Sequence, residues 1–474
     1  MVFSSTVFLF CFLPITIVGY YLVPNKTYRN FWLLLMSFIF FGWSQPRYLW
    51  IIVASIVLNY CSAMLIYFAD KNKTARRAAL ALSVVCNLGL LFYFKYFDFA
   101  IDSVNGLLHT EIPLKNIVLP IGISFFTFQG MSYVIDVYRK DVDVQKDPLK
   151  VALYVVLFPQ LIAGPIVRYR DIELEISNRR QDIEIFSEGI TRFIIGLGKK
   201  AIIANTMAEV ADGIWSAGVG NNTVAIAWIG SIAYSLQIFY DFSGYSDMAI
   251  GIGRMFGFHF CKNFDRPYIS KSITEFWRRW HISLSSWFRD YVYIPLGGNR
   301  KHLYRNLIIV FLLTGLWHGA SWHFVVWGIW NGFFIVVERL LRGKNKKKDE
   351  PESLLKSVLG HVYALFVVNL GWVLFRADTI VDAINYIGTM FGIGLSATPG
   401  FQAGWYINRW VILVAVLALL DIAGLLSLIK EKLIASVPVA AGNIMKIAVV
   451  YGILILSIMR VMSGTYNPFI YFQF

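Results

Sequence analysis

Two histidines in otherwise apolar or aromatic surroundings are the residues of this chain best suited to proton transfer. His318 ends the stretch LTGLWH, and His281 lies in the segment FWRRWHISLSSWFRDYVYIPLGGNR at residues 276–300. Imidazole titrates near neutral pH, and desolvation keeps it unprotonated. Such a base takes the proton from a hydroxyl as the hydroxyl attacks an activated acyl group. The alternative for each histidine is a structural hydrogen bond inside the protein.

His318 is predicted to lie deep within a membrane. The apolar helix that begins near Leu303 reaches His318 after about 14 residues, or about 20 Å at the helical rise. Residues 319–321 (GAS) predict a break before the next helix, and irregular backbone at that depth requires protein or water around it. An ionisable group there marks a functional site by default, so we predict that His318 is a general base.

His281 is predicted to lie on an amphipathic helix. Ser272 and Glu275 form a Ser-x-x-Glu pattern typical of a helix start, and Pro295 with the glycine pair at 297–298 predicts its end. Aromatic and apolar residues recur between them at helical spacing and predict one buried face that includes His281. The other residues of this face are Trp277, Trp280, Leu284, Phe288 and Tyr291. An interfacial helix with arginines at head-group level is the alternative interpretation.

The elements that position these residues are predicted to be membrane-spanning helices. Of 474 residues, 57% are hydrophobic and 15% are charged, and the mean hydropathy of +0.59 excludes an ordinary soluble domain. Continuous rather than alternating apolarity favours helices over a β-barrel. Apolar runs near spanning length occupy residues 2–23, 48–68, 78–97, 117–137, 224–250, 307–317, 324–337, 358–375, 410–429 and 444–461. Shorter, ambiguous runs occupy residues 31–43, 151–167, 193–211 and 384–394.

These runs predict an all-α polytopic membrane protein with about eleven crossings and a few re-entrant or interfacial helices. We expect one integral membrane domain over residues 1–474. Basic residues cluster in alternate loops, so the positive-inside rule predicts an N-terminus outside the cell and a cytoplasmic loop at residues 341–356. The net charge of +14 therefore needs no nucleic-acid partner, although it attracts anionic membrane lipids or an anionic substrate.

Motifs of common soluble enzymes and metal sites do not occur in the sequence. His318 and His323 do not have the i, i+4 spacing of a helical zinc site, and we expect no bound metal. There is no P-loop, no GxGxxG motif after a strand and no GxSxG nucleophile elbow. The four cysteines have no CxxC spacing and are expected to be core residues.

The segment around His281, followed by LTGLWHGASWHFVVWG, resembles the signature region of the membrane-bound O-acyltransferases. The resemblance is closest to the bacterial alginate and peptidoglycan O-acetyltransferase membrane subunits, and it spans almost the whole chain with a signature core at about residues 240–340. Supporting blocks are MVFSSTVFLFCFLPI, LFPQLIAGPIVRY, YDFSGYSDMAIGIGRMFGF and NPFIYFQF. The resemblance implies a ring of helices around a central funnel. It also gives His318 the role of the family's essential histidine and His281 that of the second recurring one.

The resemblance implies acetyl transfer from cytosolic acetyl-coenzyme A across the bacterial cytoplasmic (inner) membrane, for O-acetylation of an extracytoplasmic polysaccharide. No cofactor is expected to stay bound, because acetyl-coenzyme A is the donor substrate. The implied partner is a secreted or periplasmic SGNH/serine esterase-like acetyltransferase. D-alanyl-type transfer to a cell-wall polymer is the related alternative, and the PLGGNR extension looks like the acetyltransferase branch. A scaffold for a secreted acetyltransferase is a further alternative.

The donor and the acetyl relay have candidate residues. Coenzyme A is polyanionic, so basic side chains and backbone amides are expected to bind it at the cytoplasmic side. The candidates are Arg278, Arg279, Arg289, Gly297, Gly298, Asn299, Arg300 and Lys301. Tyr471 is a candidate acyl relay through a tyrosine ester. Interfacial anchoring of the last helix by its aromatic residues is the alternative.

Three carboxylates in two apolar runs suggest a rival function. Asp136, Asp241 and Asp247 are costly in a membrane and would couple ion flow in a transporter. The alternative is that they are structural partners of Arg139, Arg254 or nearby backbone.

Overall fold

Helices make up the regular structure of this chain in the part that the structure describes. The computed structural model describes residues 1–218, 221–342, 353–395, 402–464 and 470. Within these residues there are α-helices with short 3-10 and π-helical turns, and no strand. The predicted all-α polytopic fold is confirmed. The chain divides into two compact units, Met1–Phe193 with Tyr245–Cys261 and Ile194–Gly244 with Lys262–Phe474. The expected single domain stays a prediction.

The first unit is a set of helices, several of which start at a polar cap. Its helices are Leu13–Leu22 (α1), Lys26–Ser44 (α2), Leu49–Phe68 (α3), Lys73–Leu91 (α4), Phe97–Leu108 (α5), Ile123–Arg139 (α6), Pro148–Val156 (α7), Phe158–Leu161 (α8), Tyr169–Asn178 (α9) and most of Ile183–Gly198 (α10). Asn25 caps α2 by accepting from the Tyr28 amide, and Asn72 caps α4 by accepting from the Thr74 amide. Capping satisfies amides that a helix start leaves unpaired, so these polar loops set the helix boundaries.

The second unit contains both candidate histidines and a core rich in aromatic rings. Its helices are the end of α10, Asn205–Ser216 (α11), most of Val224–Met255 (α12), Ile273–Arg279 (α13), Ile282–Phe288 (α14), Leu303–His318 (α15), Trp322–Arg342 (α16), Leu354–Arg376 (α17), Ile380–Met390 (α18), Arg409–Ile422 (α19), Leu425–Ala435 (α20) and Val439–Ser463 (α21). Trp372 lies between Trp280 and Trp327, with ring centroids 4.8 and 6.1 Å away. Stacked and edge-to-face rings of this kind give the core fixed geometry as well as buried area.

Among the described residues, six helices are long and apolar enough to cross a membrane. They are Pro46–Phe68, Lys73–Leu108, Val224–Met255, Trp322–Leu341, Leu354–Arg376 and Val439–Ser463. The pair Arg409–Ile422 and Leu425–Leu433, bent by 80°, adds a seventh if it forms one span. Two further apolar runs form shorter helices, Phe8–Leu22 and Leu303–His318. The run at residues 410–429 is divided at Gly424, whose φ of 77° ends α19.

The orientation in the membrane stays a prediction. Most of the predicted cytoplasmic loop, residues 343–352, lies outside the described residues. An N-terminus outside the cell therefore rests on the distribution of basic residues, and a location in the inner membrane rests on the family resemblance.

Candidate active site

The central aromatic segment begins as predicted, with a capped helix. The Ser272 hydroxyl accepts a hydrogen bond from the Glu275 amide at 3.1 Å at the start of α13. The buried carboxylate of Glu338, on α16, accepts from the amides of Ile273 at 2.5 Å and Thr274 at 3.0 Å. A carboxylate at a helix N-terminus also interacts favourably with the helix dipole. Glu338 thus fixes α13, and the arginines that follow, relative to α16.

The single helix predicted for this segment is wrong, because the chain breaks at His281. α13 ends before this residue and α14 starts after it, while His281 itself adopts a left-handed backbone with φ of 42°. The Ile282 amide donates to the Asn263 carbonyl at 2.9 Å, and the Asp265 amide donates to the Arg279 carbonyl at 2.9 Å. The stretch before α13 therefore supplies backbone partners for the break.

The aromatic face predicted for the segment is nevertheless buried. Side chains that a continuous helix would align are buried on two short helices separated by His281. The buried residues are Trp277, Trp280, His281, Leu284, Phe288 and Tyr291.

His281 is fully buried and held at one edge of its ring. Its Nδ1 lies 3.1 Å from Oδ1 of Asn263, and the same oxygen accepts from the Ser283 hydroxyl at 2.8 Å. The rings of Phe242 and Trp317 lie 4.6 and 5.9 Å from the imidazole, measured between centroids. Nε2 of His281 is buried and has no hydrogen-bond partner among the described residues. Such an atom is costly in a folded protein, and a ligand that donates a hydrogen bond removes the cost.

His318 occupies the position predicted for it, as the last residue of α15. The helix breaks after it, and α16 begins at Trp322. The residue is 4% exposed, and its ring meets those of Trp317, Trp327 and Phe375 edge to face at 5.0, 5.1 and 5.1 Å. His318 is therefore enclosed by aromatic side chains of the second unit.

The two histidines predicted to be catalytic are brought together at one indole ring. Trp317 lies 5.9 Å from the ring of His281 and 5.0 Å from that of His318. The histidines come from separate elements, since His281 precedes α14 and His318 ends α15. Both buried imidazoles are therefore within ring-contact distance of the same indole.

Glycines let α15 and α16 approach each other closely beside His318. A Cβ atom at Gly315 would lie 2.3 Å from the carbonyl oxygen of Phe324, and one at Gly328 would lie 2.4 Å from that of Phe311. Because these neighbours are backbone atoms, a larger residue would push the helices apart. The glycines thus set the position of the helix end that carries His318.

The two arginines of the RRWH sequence have different surroundings. Arg279 pairs with Glu275 at 3.0 Å and with Asp265 at 3.6 Å. A hydrogen bond from Lys262, together with the charges of Lys262 and Arg279, lowers the pKa of Asp265, so this carboxylate stays ionised at neutral pH. Arg278 is exposed and has no ion pair among the described residues. Arg278 is thus available to an anion, whereas Arg279 is part of the supporting structure.

The predicted glycine turn is present, but its amides are already used. Gly297 and Gly298 have φ angles of 108° and 54°, which glycine adopts without a Cβ clash. Their amides donate to the carbonyls of Ile294 at 3.0 Å and Tyr293 at 2.9 Å. This corrects the expectation that the two amides are available to phosphate oxygens.

Side chains next to the turn remain candidates for anion binding. Asn299 accepts a hydrogen bond from the exposed guanidinium of Arg339 at 3.0 Å. Arg339 was not among the predicted candidates. Arg300 is exposed. The side chain of Arg289 is 60% exposed and pairs with Asp290 at 2.7 Å.

Two of the three acidic residues in apolar runs have basic partners that the sequence did not indicate. Asp241 lies 2.6 Å from Lys200, and both side chains are 2% exposed. Asp247 lies 2.9 Å from Arg192. Asp136 is fully buried. These contacts favour a structural role for Asp241 and Asp247.

The proposed relay falls beyond the described residues, but its neighbour does not. Tyr471 lies outside the part of the chain that the structure describes. Ile470 is 3% exposed, and its amide donates to Oδ2 of Asp241 at 2.9 Å. Ile470 is therefore anchored inside the second unit.

Several residues that shape the site were not predicted from the sequence. Asn263, Glu338 and Lys200 each act through a partner distant in sequence, which no local pattern identifies. Lys200 lies within an apolar run and Glu338 adjoins one, so the cost of a buried charge was the one available signal. Arg254, considered as a partner for the intramembrane carboxylates, pairs instead with Glu188 at 2.5 Å.

Comparison with known proteins identifies the class of this helical membrane protein. The model of the membrane-bound O-acyltransferase family matches residues 38–347, which include both histidines. The chain is 40% identical to the probable alginate O-acetylase AlgI of Pseudomonas putida over the full length of both proteins. It is 42% identical to the probable alginate O-acetylase AlgI of Pseudomonas aeruginosa, over 94% of this chain and 85% of that protein.

A relative with a different named substrate is also similar. The chain is 36% identical to the peptidoglycan O-acetyltransferase of Helicobacter pylori, over 86% of this chain and 84% of that protein. The chain therefore belongs to the membrane-bound O-acyltransferase family. The prediction of a multi-pass membrane-bound O-acetyltransferase is confirmed.

Proposed function

We propose that this protein transfers acetyl groups from cytosolic acetyl-coenzyme A across the inner membrane for O-acetylation of an extracytoplasmic polysaccharide. One observation carries the proposal: His281 and His318 are both buried and both contact Trp317. Imidazoles in such a site have the chemistry that acyl transfer to a hydroxyl requires. The names of the relatives, which refer to alginate and peptidoglycan, support a polysaccharide as the final acceptor.

His318 acts as the general base. Its imidazole takes the proton from the acceptor hydroxyl as the oxygen attacks the thioester carbonyl carbon. The carbon–sulfur bond breaks, and the coenzyme A thiolate takes the proton from the imidazolium, which restores the neutral base. The rings of Trp327 and Phe375 against His318 exclude water, which favours transfer over hydrolysis.

The phosphates of coenzyme A bind at basic side chains near the glycine turn, on the face predicted to be cytosolic. Arg278 is the first candidate, because it is exposed and has no ion pair among the described residues. Arg300, Arg289 and Asn299 supply further polar groups, and guanidinium groups bind phosphate oxygens in bidentate geometry. Arg279 acts indirectly by holding the segment in place. The pantetheine arm then extends through the helices towards His318.

Tyr471 receives the acetyl group and passes it to a secreted or periplasmic SGNH/serine esterase-like acetyltransferase. A tyrosine ester forms as the thioester breaks, so that the acetyl group leaves coenzyme A behind. The buried hydrogen bond from Ile470 to Asp241 supports this role, because it anchors the chain one residue before Tyr471. Interfacial anchoring alone does not require a buried backbone contact.

An ion-coupled transporter is the less favoured function. Two of its three candidate coupling groups, Asp241 and Asp247, are engaged by Lys200 and Arg192. A coupling carboxylate must bind and release its ion, and a fixed cationic partner opposes this exchange. D-alanyl-type transfer uses the same chemistry with another acyl donor. An assay that supplies each donor in turn distinguishes it from acetyl transfer.

Proteoliposomes test the proposed function. Acetyl-coenzyme A labelled in the acetyl group is supplied on the side of the basic loops, with polysaccharide and the esterase-like partner on the other side. Wild type is expected to deliver label to the polysaccharide, while His318→Ala is at least about 100-fold slower. His323→Gln, which changes another buried histidine of the same helical hairpin, is the matched control and keeps its activity. Potential-driven flux without thioester cleavage would indicate a transporter.

A further inference from the structure

The side-chain oxygen of Asn263 contacts His281 and also accepts two hydrogen bonds from Ser283. Oδ1 of Asn263 accepts from the backbone amide of Ser283 at 3.3 Å and from its hydroxyl at 2.8 Å, and it lies 3.1 Å from Nδ1 of His281. Asn263 is 1% exposed. The contacts are thus protected from solvent and independent of the basic residues proposed to bind phosphate.

These contacts determine which nitrogen of His281 carries the proton. A backbone amide can only donate, so the Asn263 atom that faces Ser283 is its oxygen and not its nitrogen. Because this acceptor also faces Nδ1 of His281, Nδ1 carries the hydrogen in the neutral ring, and Nε2 carries the lone pair. Nε2 is buried without a hydrogen-bond partner among the described residues. The ring therefore presents a buried acceptor at the edge opposite Asn263.

Backbone contacts and neighbouring rings fix the orientation of the imidazole. The Ile282 amide donates to the main-chain carbonyl of Asn263, so Asn263 holds three consecutive residues, 281–283. The left-handed backbone of His281 is unfavourable for a residue with a Cβ atom, and these bonds offset the cost. The rings of Phe242 and Phe264 lie 4.6 and 6.5 Å from the imidazole and limit its rotation.

We propose that Asn263 is the positioning residue of His281, and that it directs the Nε2 lone pair at an amide N–H of the pantetheine arm of acetyl-coenzyme A. The inference rests on the proposed acetyl transfer and assigns the two histidines different tasks. Nε2 accepts a hydrogen bond and cannot donate one, so the thioester carbonyl is not its partner. The acceptor hydroxyl has one proton, which His318 removes. The two amide N–H groups are the donors of the pantetheine arm that lie nearest to the thioester.

Small thioesters test this assignment directly. S-acetyl-N-acetylcysteamine retains one amide N–H of the pantetheine arm, whereas S-ethyl thioacetate has none. Wild type in proteoliposomes is expected to use the first with a kcat/KM about 10-fold higher, the value of one hydrogen bond to a buried acceptor. His281→Gln and Asn263→Ala are expected to reduce this preference to about 1-fold. Ser286→Ala, which changes a half-buried serine further along α14, is the control and keeps the preference.

Asn263→Asp separates a positioning role from a structural one. A carboxylate beside Nδ1 stabilises the imidazolium, so it raises the pKa of His281 in this variant by about one unit or more. Protonated Nε2 donates and no longer accepts, so the preference is expected to disappear at low pH and to return at a higher pH than in wild type. A purely structural role of Asn263 would leave this pH dependence unchanged.

Three of the aromatic residues that contact the imidazole of His281 each have a titratable neighbour in the sequence. These neighbours contribute to the pH profile. They are Asp241 beside Phe242, Asp265 beside Phe264, and His318 beside Trp317. Lys200 engages Asp241 and Lys262 engages Asp265. His318→Ala removes turnover of both thioesters equally, so its effect is separate from the preference between them.

The outcomes distinguish the inference from the proposed function. The positioning role is overturned if Asn263→Ala keeps the full preference for S-acetyl-N-acetylcysteamine over S-ethyl thioacetate, or if Asn263→Asp keeps it at every pH. This holds even if His318→Ala is inactive. Should Asn263→Ala fail to fold, the pH dependence of Asn263→Asp decides. Undiminished turnover in His318→Ala would overturn the proposed function, whatever the preference of the Asn263 variants.

Discussion

Nζ of Lys200 lies 2.6 Å from Oδ1 of Asp241, and each side chain is only 2% exposed. Burying two charges costs several kcal/mol per ion, which close geometry and additional hydrogen bonds must offset. Asp241 receives one such bond from the amide of Ile470 at 2.9 Å. The pair therefore joins α12 to the turn after α10 and to the end of the chain. It accounts for a carboxylate in an apolar run without ion transport.

Removing one member of this pair is expected to destabilise the protein strongly. Lys200→Met leaves a buried carboxylate without its cation, at a cost of about 3–5 kcal/mol. The double variant Lys200→Met with Asp241→Leu contains no buried charge and is expected to recover much of the loss. Thermal unfolding in detergent measures all three proteins.

A more exposed ion pair provides the control for this comparison. Arg254→Gln breaks the pair with Glu188, whose side chains are 31% and 57% exposed, and is expected to cost no more than about 1 kcal/mol. A double variant at least as unstable as Lys200→Met alone would contradict the account of the Lys200–Asp241 pair.

The adjacent arginines at 278 and 279 are expected to respond differently to substitution. Arg278→Gln should raise the KM for acetyl-coenzyme A several-fold with little change in unfolding temperature, because the guanidinium is exposed and has no ion pair among the described residues. Arg279→Gln breaks contacts with Glu275 and Asp265 and should lower the unfolding temperature. Steady-state kinetics and thermal unfolding of both variants check this. An unchanged KM in Arg278→Gln would remove Arg278 from the donor site.

The close approach of α15 and α16 makes Gly328 intolerant of a methyl group. A Cβ atom there would lie 2.4 Å from the carbonyl oxygen of Phe311, so Gly328→Ala must separate the helices that position His318. We expect a loss of about 1–3 kcal/mol in stability, as for overpacked cores, together with reduced acetyl transfer. Gly452→Ala is the matched control, since a Cβ atom there meets nothing within 4 Å. Equal stability of the two variants would refute the packing argument.

Glu338 is expected to link stability to donor binding. Glu338→Ala leaves the amides of Ile273 and Thr274 without their acceptor and should cost about 1–3 kcal/mol. Because α13 carries Arg278, loosening its start should also raise the KM for acetyl-coenzyme A. Glu431→Ala, at an exposed position, is the control. A stable Glu338→Ala variant with normal KM would show that α13 is held by other contacts.

Features that depend on neighbouring residues could be predicted from the sequence. The cap at Ser272 and the helix break after His318 are set within one or two turns of chain, and both occur as predicted. The burial of the aromatic face around Trp280 was also predicted, because it follows from side-chain chemistry even though the helix is broken. Local propensity and apolar pattern are sufficient for such features.

Features that depend on distant partners could not be predicted. The break at His281 is stabilised by the carbonyl of Asn263, and the charge of Asp241 by Lys200. Neither partner has a recognisable spacing from the residue it serves. The apolar run at residues 410–429 likewise did not reveal the turn at Gly424, where α19 ends. Tertiary contacts decide these features, and one sequence does not reveal them.

The turnover number of His318 variants with acetyl-coenzyme A tests the central claim most directly. Purified wild type, His318→Ala and His323→Gln are compared for acetyl transfer, with donor binding measured in parallel. A general base at His318 predicts that His318→Ala loses at least about 100-fold in kcat while its affinity for the donor is nearly unchanged. His323→Gln should stay close to wild type. A kcat for His318→Ala within a few-fold of wild type would contradict the account.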